Sequence, residues 1–558
     1  MSLKLDQEKF YFAPLGGSEQ FGVNCNIYMH EDAWLMVDLG MGFAEDNLPG
    51  IDLILPDISY VVENRDKLSA LIITHAHEDH VGAVAYLWPR LRCPIYCTPF
   101  TAEVLREKFK EHKECQDAVI HEIRGGDHIE TGPFHIDFVH MAHSIPETVS
   151  LFIQTQAGTA FHSADWNLDP TPVIGKPTDK SSLEKIAKQG VHAYIGDSTN
   201  ALYAGRAGSE KEVEEGLLNV IGRCEGKIVI TLFASNIARI QSISRAARDC
   251  GRKVCVVGYS LHKMIAAARN CGYLSDIPDF LDENDMPDTP DENLLVIATG
   301  SQGESRAAMA RISRGDWQGL TLGRDDTVIF SSREIPGNEK DIERIKNNCV
   351  TSGAAVISPD NTNEKIHVSG HPYRDEVYEM LQLLKPRSVI PVHGEHIQIS
   401  GQAEIARGCG VDDVQIPVNG MVVEISEKGL DIAGYIDTNL LAVEPKRIIP
   451  VDHKAIRERR KIQYCGVIHV TIVLDDHGDM LAQPQISSLG LVDDEYDFDL
   501  DFTDQLKNEI NSIHTELTDD DLQESELVRE QFRIGARRFA NHIYGLKPVV
   551  NVHLVRVR

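Results

Sequence analysis

The sequence predicts an α/β protein in which one α/β domain is interrupted by a second, with a small α+β domain at the C-terminal end. Three features carry that expectation. Short apolar runs in the first 200 residues stop at polar, histidine-rich turns; strand and helix patterns alternate between about 210 and 360; and the strand-then-histidine pattern returns afterwards. The natural inference is an insertion. The expected boundaries are 1–207 and 363–447 for the two parts of the first domain, 208–362 for the insertion, 448–465 for a linker or connecting helix, and 466–558 for the last domain.

Taken in order, residues 34–37 run into Asp38, 68–74 into His75, 134–141 into His143, 159–164 into Asp165, and 193–196 into Asp197. Each run has strand length and is stopped by a polar residue. Helical patterns lie between some of them, at 101–110 and 183–189. In the insertion, apolar runs at 227–230, 254–257, 294–297 and 327–330 alternate with helix-like segments, as in a doubly wound parallel sheet. Residues 388–392 then run into His393, and Asn419-Gly420 between two apolar runs signals a hairpin. The last domain reads as a hairpin-like pair around 475–479, an acidic segment, a basic helix over 529–544 and a terminal strand over 549–557.

Composition limits the function. Of 558 residues 42% are hydrophobic and 42 are glycine, which excludes disorder, collagen and coiled coil as overall descriptions. No run approaches the ~18–20 apolar residues of a membrane span. The start, MSLKLDQEKFYF, lacks a signal peptide's basic end and apolar stretch. The expectation is a soluble, cytoplasmic protein with no membrane partner. Eleven cysteines without a CxxC suit a reducing compartment and disfavour a thiolate zinc site. The 55 basic against 85 acidic residues leave a net charge of −30, which argues against indiscriminate nucleic-acid binding. Any such role needs a local groove where metals and a few Arg and Lys reverse the sign. The acidic patches at 282–292, 493–504 and 519–526 read as solvated loops and helix faces.

The strongest local signal is Thr74-His-Ala-His-Glu-Asp-His80. An extended backbone puts His75 and His77 on one side, and Asp79 and His80 then turn the chain and offer two more ligands. Imidazole and carboxylate suit zinc and related divalent ions. Two ions together need more ligands than one loop supplies, which makes His143, Asp165 and His393 the candidates at other strand ends. A lone histidine after a strand is more often structural, the reading kept for His140, His162 and His192. Four ligand-type residues within six positions reverse that balance.

His75-x-His77-x-Asp79-His80 resembles the metal-binding signature of the metallo-β-lactamase fold, an αββα sandwich. The resemblance implies that His75, His77 and His143 hold one ion, that Asp79, His80 and His393 hold the other, and that Asp165 is shared. It makes Asp38 the aspartate that orients the histidine loop. The unit between Asp165 and His393 looks like the β-CASP insertion of nucleic-acid-processing nucleases, with Asp197, His371 and His393 at its motifs A, B and C. The whole chain is similar to the ribonuclease J family, through Pro14-Leu-Gly-Gly17, His143-Ser-Ile-Pro146, Asp197-Ser-Thr-Asn-Ala201, Phe233-Ala-Ser-Asn236, Thr299-Gly-Ser-Gln-Gly-Glu304, Ile335-Pro-Gly-Asn-Glu339 and His367-Val-Ser-Gly-His371.

What the resemblance implies is a zinc-dependent ribonuclease acting on single-stranded RNA in RNA maturation and decay, a 5′-to-3′ exonuclease with additional endonuclease activity. Two divalent ions per chain are expected, zinc first, with manganese or magnesium as alternatives. His371, Asp197 and Asp79 are the expected catalytic residues, His371 giving a proton to the leaving oxygen and Asp197 holding its ring. Ala234, Ser235 and Asn236, with His367, Val368, Ser369, Gly370 and His371, are expected to hold a terminal 5′ monophosphate. Arg239 and Arg333 are expected either to contact the RNA backbone or to form exposed salt bridges. A homodimer or homotetramer and a place in an RNA-decay assembly are the implied partners. The competing readings are a β-CASP DNA nuclease, a catalytically inactive structural subunit of such an assembly, and a lactamase- or glyoxalase-like hydrolase, which leaves the insertion unexplained.

Overall fold

The computed structural model describes residues 4–45, 47–335, 337–491 and 502–557. Most of the acidic patch at 493–504, and Pro336 of the phrase at 335–339, lie outside them. The chain forms two compact units, one of Met1–Gly42 with Leu55–Leu440 and the other of Phe43–Ile54 with Leu441–Arg558.

Two sheets face each other in the first unit. In one, Phe10–Gly16, Cys25–His30 and Ala33–Val37 run antiparallel, and Leu68–Ile73, Ile95–Cys97 and Ile120–Glu122 continue in parallel; Met421–Ser426 and Gly429–Tyr435 pair on the other flank. In the other, His128–Thr131, Phe134–His140, Val149–Gln154 and Thr159–His162 run antiparallel, then Ala193–Asp197, Ser388–Val392 and Asp413–Val414 in parallel. Period-two alternation sends Phe134, Ile136 and Phe138 inward, where they meet Phe10, Phe12, Tyr28, Val37 and Ile72 in a dry core. Helices Lys180–Gln189, Arg374–Leu384 and His396–Gly408 lie behind the second sheet over Phe161, Tyr194 and Val389. Helices Val84–Leu91 and Pro99–Glu111 follow strands of the first. The layers are those of an αββα sandwich.

The insertion departs after Ala193–Asp197 and the chain returns as Ser388–Val392, its parallel neighbour, with Asp197 opposite Val392. That register sets Asp197 beside His393 despite the long excursion between them. Within the insertion all strands are parallel, in the order Lys253–Val257, Leu294–Ala298, Ile228–Thr231, Thr327–Phe330, Ala355–Ile357. The last strand is one more than the periodicity predicts.

Asn419-Gly420 is not a hairpin turn. Of the run before it only Asp413–Val414 is a strand, and that strand belongs to the other sheet. Residues 418–421 therefore cross between sheets, with Gly420 at φ +85°. The hairpin of this region turns at Glu427-Lys428 instead.

In the second unit, Val467–Leu474 pairs antiparallel with Gln485–Leu489 and parallel with Val549–Arg556. The terminal strand is thus paired within its own chain. Helices Phe502–Glu516 and Ser525–Tyr544 bury Leu506, Ile510, Phe532 and Ala536 against Ile468, Val470 and Ile472. Among the described residues, no helix is long and apolar enough to cross a membrane.

Candidate metal centre

Four strand ends of the sandwich bring the seven expected ligand residues together. His75, His77, Asp79 and His80 follow Leu68–Ile73, with Glu78–Val81 turning into a short helix. His143 follows Phe134–His140, Asp165 follows Thr159–His162, and His393 follows Ser388–Val392. Ligand-type atoms of His75, His77, His143 and Asp165 lie within 4.8 Å of one another, and so do those of Asp79, His80, Asp165 and His393. Asp165 stands in both groups.

Asp38 organises the loop from behind. Its carboxylate accepts from the Thr74 backbone N–H (2.8 Å) and Thr74 Oγ1 (2.9 Å), and from His80 Nδ1 (2.7 Å). His143 Nδ1 donates to the Gly370 carbonyl (2.7 Å). With those nitrogens committed as donors, the Nε2 atoms of His80 and His143 face the centre, that of His80 also lying 3.1 Å from Asn24 Nδ2. A side chain at Gly370 would meet the His143 ring at 2.8 Å, so only glycine allows this approach.

The arrangement makes chemical sense around cations. Asp165 is 1% exposed, yet neither of its carboxylate oxygens has a hydrogen-bond partner. Nitrogens face each other at 3.0 Å (His143 Nε2 and His77 Nδ1), 3.1 Å (His75 Nε2 and His77 Nδ1) and 3.3 Å (His80 Nε2 and His393 Nε2). Imidazole nitrogens packed this closely around a buried carboxylate with no hydrogen bond need positive charge among them, which protons on His80 and His393 or bound cations supply. The donor set of imidazole and carboxylate fits two divalent ions.

The electrostatics divide the rings. Burial, with the charge of His75, holds His77 down to about 3, and burial with His77 holds His143 well below its ordinary range. Burial works against charge on His393 as well, but Asp165, Asp79 and Asp197 outweigh it and raise it to about 9. His80 is likewise raised, against burial, by Asp165, Asp79 and Asp38. The carboxyl of Asp165 is held well below the usual range, despite burial, by His393, His80 and His371.

Beside this centre, His371 Nδ1 lies 2.8 Å from Asp197 Oδ2 and 3.8 Å from Asp165 Oδ2. Asp197 and Asp165 raise its pKa against burial. The expected phosphate-pocket residues are partly occupied already. Asn236 caps the helix Ile237–Asp249 through Arg239 N–H and donates to Glu210. Ser369 Oγ accepts from Asn200 Nδ2 (2.7 Å) and from the His371 N–H (3.2 Å). His367 is kept neutral by burial and by the Arg239 and Arg333 guanidinium groups. Ala234 and Val368 pack on the core of the insertion, and Ser235 is half-buried beside them.

Arg239 corrects an expectation. It is fully buried, bidentate to Glu210 (2.8 and 3.0 Å), and donates to Ser331 and to the Ile366 carbonyl next to His367. It is neither an RNA contact nor an exposed salt bridge. Arg239→Met strands a buried carboxylate and two carbonyls, so it should destabilise the fold by about 3–5 kcal/mol. A lower urea midpoint would show this, and adding Glu210→Gln should recover part of the loss. Arg333 is half-buried, donates to Asn200 Oδ1 (3.2 Å) and stacks 4.0 Å from the Tyr203 ring centre. His140, His162 and His192 bond to Lys176, Tyr28 and Thr159 as structural residues, His162 buried close enough to the centre to feel Asp38, His80 and Asp165.

Sequence reasoning missed Asn24 and Thr199. Asn24 Nδ2 lies 3.2 Å from Asp79 Oδ2, and Thr199 Oγ1 lies 2.8 Å from His393 Nδ1. Only the Asp197-Ser-Thr-Asn-Ala201 phrase pointed toward either.

Fold and site define a metallo-β-lactamase-type hydrolase with an inserted β-CASP domain. The sequence model of the metallo-beta-lactamase superfamily matches residues 19–154, and that of the ribonuclease J beta-CASP domain matches 225–349. A Zn-dependent metallo-hydrolase RNA specificity domain matches 362–417, and the ribonuclease J C-terminal domain 454–557. The chain belongs to the ribonuclease J family, the metal-dependent ribonucleases of this fold. It is 37% identical to ribonuclease J of Sinorhizobium meliloti over 99% of this chain and 98% of that one. To ribonuclease J 1 of Streptococcus pyogenes it is 35% identical over 86% of each. A solved structure from Enterococcus faecalis, a protein of unknown function, shares the fold alone (TM-score 0.52, 13% identity, 75% of this chain and 100% of that one).

Removing the Asp38 carboxylate tests the support behind the centre. Asp38→Ala should weaken divalent-metal binding about 10–100-fold, read by equilibrium dialysis, because His80 loses the partner that aims its ring.

Proposed function

We propose that the chain degrades single-stranded RNA from its 5′ end, preferring a 5′ monophosphate, and also cuts internally. The observation that carries this reading is the buried Asp165 carboxylate, unpartnered and shared by two groups of histidines. In it, His75, His77 and His143 would hold one ion, Asp79, His80 and His393 the other, and Asp165 both; zinc suits these donors best, with manganese or magnesium as alternatives. Two such ions would offset phosphodiester charge and lower the pKa of a nearby water toward ~7.

The protein's own residues do the rest. His371, whose pKa Asp197 and Asp165 raise, gives its proton to the departing 3′ oxygen, and Asp197 holds the ring so that Nε2 points away from the carboxylates. Asp79, bonded to His393 and Asn24, keeps its negative charge beside the reacting groups. The turn at Ala234, Ser235 and Asn236 and the loop from His367 to His371 line the place for the terminal phosphate, with Arg333, close enough to lower the pKa of His367 and bonded to Asn200, as a nearby cation. The stack of Arg333 on Tyr203, which is 44% exposed, offers a face to an unpaired base. A cytoplasmic homodimer or homotetramer, attached to an RNA-decay assembly, completes the proposal.

The test is incubation with zinc or manganese and 5′-labelled RNA bearing one or three phosphates. Early release of single nucleotides, faster from the monophosphate, is expected. Equal rates on both ends would overturn the phosphate preference, and equal cleavage of single-stranded DNA the RNA selectivity.

A further inference from the structure

A second group of metal-type ligands lies on the edge hairpin of the seven-stranded sheet, away from the centre described above. His128 and Glu130 stand on the edge strand His128–Thr131, and His135 and Asp137 on its neighbour Phe134–His140. Register pairs His135 with Glu130 and Asp137 with His128, so all four project from one face, opposite to Ile129 and Ile136. Ligand atoms of His128, Glu130 and His135 lie within 4.8 Å of one another.

The details go beyond proximity. His128 Nδ1 donates to Asp137 Oδ1 at 2.8 Å, and Asp137 Oδ2 in turn accepts from Gln154 Nε2 at 3.1 Å. This fixes the tautomer and leaves His128 Nε2 bare, 3.8 Å from Glu130 Oε1; His135 Nδ1 lies 3.2 Å from that same oxygen. Two ligands about 2.0–2.1 Å from a tetrahedral ion stand about 3.3–3.4 Å apart, a separation the 3.2 Å pair nearly has and the 3.8 Å pair reaches by a small turn of an exposed side chain. A carboxylate behind a ligating histidine is the support that metal-binding imidazoles use. The three ligand residues are exposed, so water can complete the coordination.

We propose that His128, Glu130 and His135, with Asp137 orienting His128, bind a third divalent ion of the zinc class. Two imidazoles and one carboxylate select zinc, copper or nickel over magnesium and manganese. The ion cross-links the two outermost strands of the sheet whose next turn presents His143. This assignment is independent of the function proposed for the central site.

The test is zinc content of the full chain after equilibrium dialysis at micromolar free zinc. His128→Ala with His135→Ala should lose one equivalent, with far-UV circular dichroism and ribonuclease activity unchanged. Asp137→Asn should keep the site but weaken it about 10–100-fold. An undiminished equivalent count in the double variant overturns the site, as does the absence of saturable binding beyond the central ions up to ~100 µM zinc. Loss of activity together with the equivalent would show that the ion is not separate from the central site, also against the proposal.

Discussion

Asp165→Asn is expected to lower RNA turnover by about 10³-fold or more and to leave the chain short of at least one ion. The side chain keeps its shape but loses the charge that two histidine groups share. Oδ2 of Asp165 lies 3.5 Å from His75 Nε2, 3.3 Å from His80 Nε2 and 3.6 Å from His143 Nε2, while Oδ1 lies 3.4 Å from His393 Nε2. An amide NH₂ in that position would point its hydrogens at one of these nitrogens and close it to a cation. Charge stabilisation by such ions contributes several kcal/mol, and about 4 kcal/mol corresponds to the thousandfold loss. Elemental analysis and hydrolysis of labelled RNA on the same preparation check both halves. Two bound ions with full turnover would remove Asp165 from the centre.

The parts of this site legible in the sequence are those where the chemistry is crowded or punctuates a strand. His75 to His80 offers the four ligand residues His75, His77, Asp79 and His80 within six positions, and Asp165 and His393 each end an apolar run. Backbone geometry left no such mark. Asp38 (φ +63°), Ala164 (φ +49°) and His393 (φ +56°) all take left-handed conformations at strand ends, which re-aim the side chains that follow or belong to them. Neutral groups were equally silent, since Asn24 and the Gly370 carbonyl reach the centre only through tertiary contact. Arg239 sits on a helix with ordinary amphipathic spacing, and its burial depends on Glu210, which periodicity does not couple to it. At Asn419-Gly420 local turn chemistry pointed to a hairpin, but a crossing between sheets took precedence. The insertion itself was legible because strand-end histidines resume after it, and its short last strand, Ala355–Ile357, was not because three residues carry no period.

His371→Ala should cut RNA turnover by about 10²–10⁴-fold while both central ions stay bound. The ring is 21% exposed, so it can reach solvent-borne substrate, whereas Asp197 behind it is buried. Its 2.8 Å contact with Asp197 leaves Nε2 as the atom that can give up a proton, and Asp197 and Asp165 raise its pKa against burial. A proton donor matters only as much as the leaving group needs one. On RNA the departing ribose oxygen is strongly basic, and the variant should be crippled. On a nucleoside p-nitrophenyl phosphate the leaving phenolate needs little protonation, so the same variant should approach the parent rate. Asp197→Asn should show the same contrast in weaker form, because the ring remains but loses its charge and preferred tautomer. If both substrates slow equally, His371 binds phosphate without transferring a proton; if metal is lost as well, it belongs to the ligand set with the neighbouring Asp165 and His393.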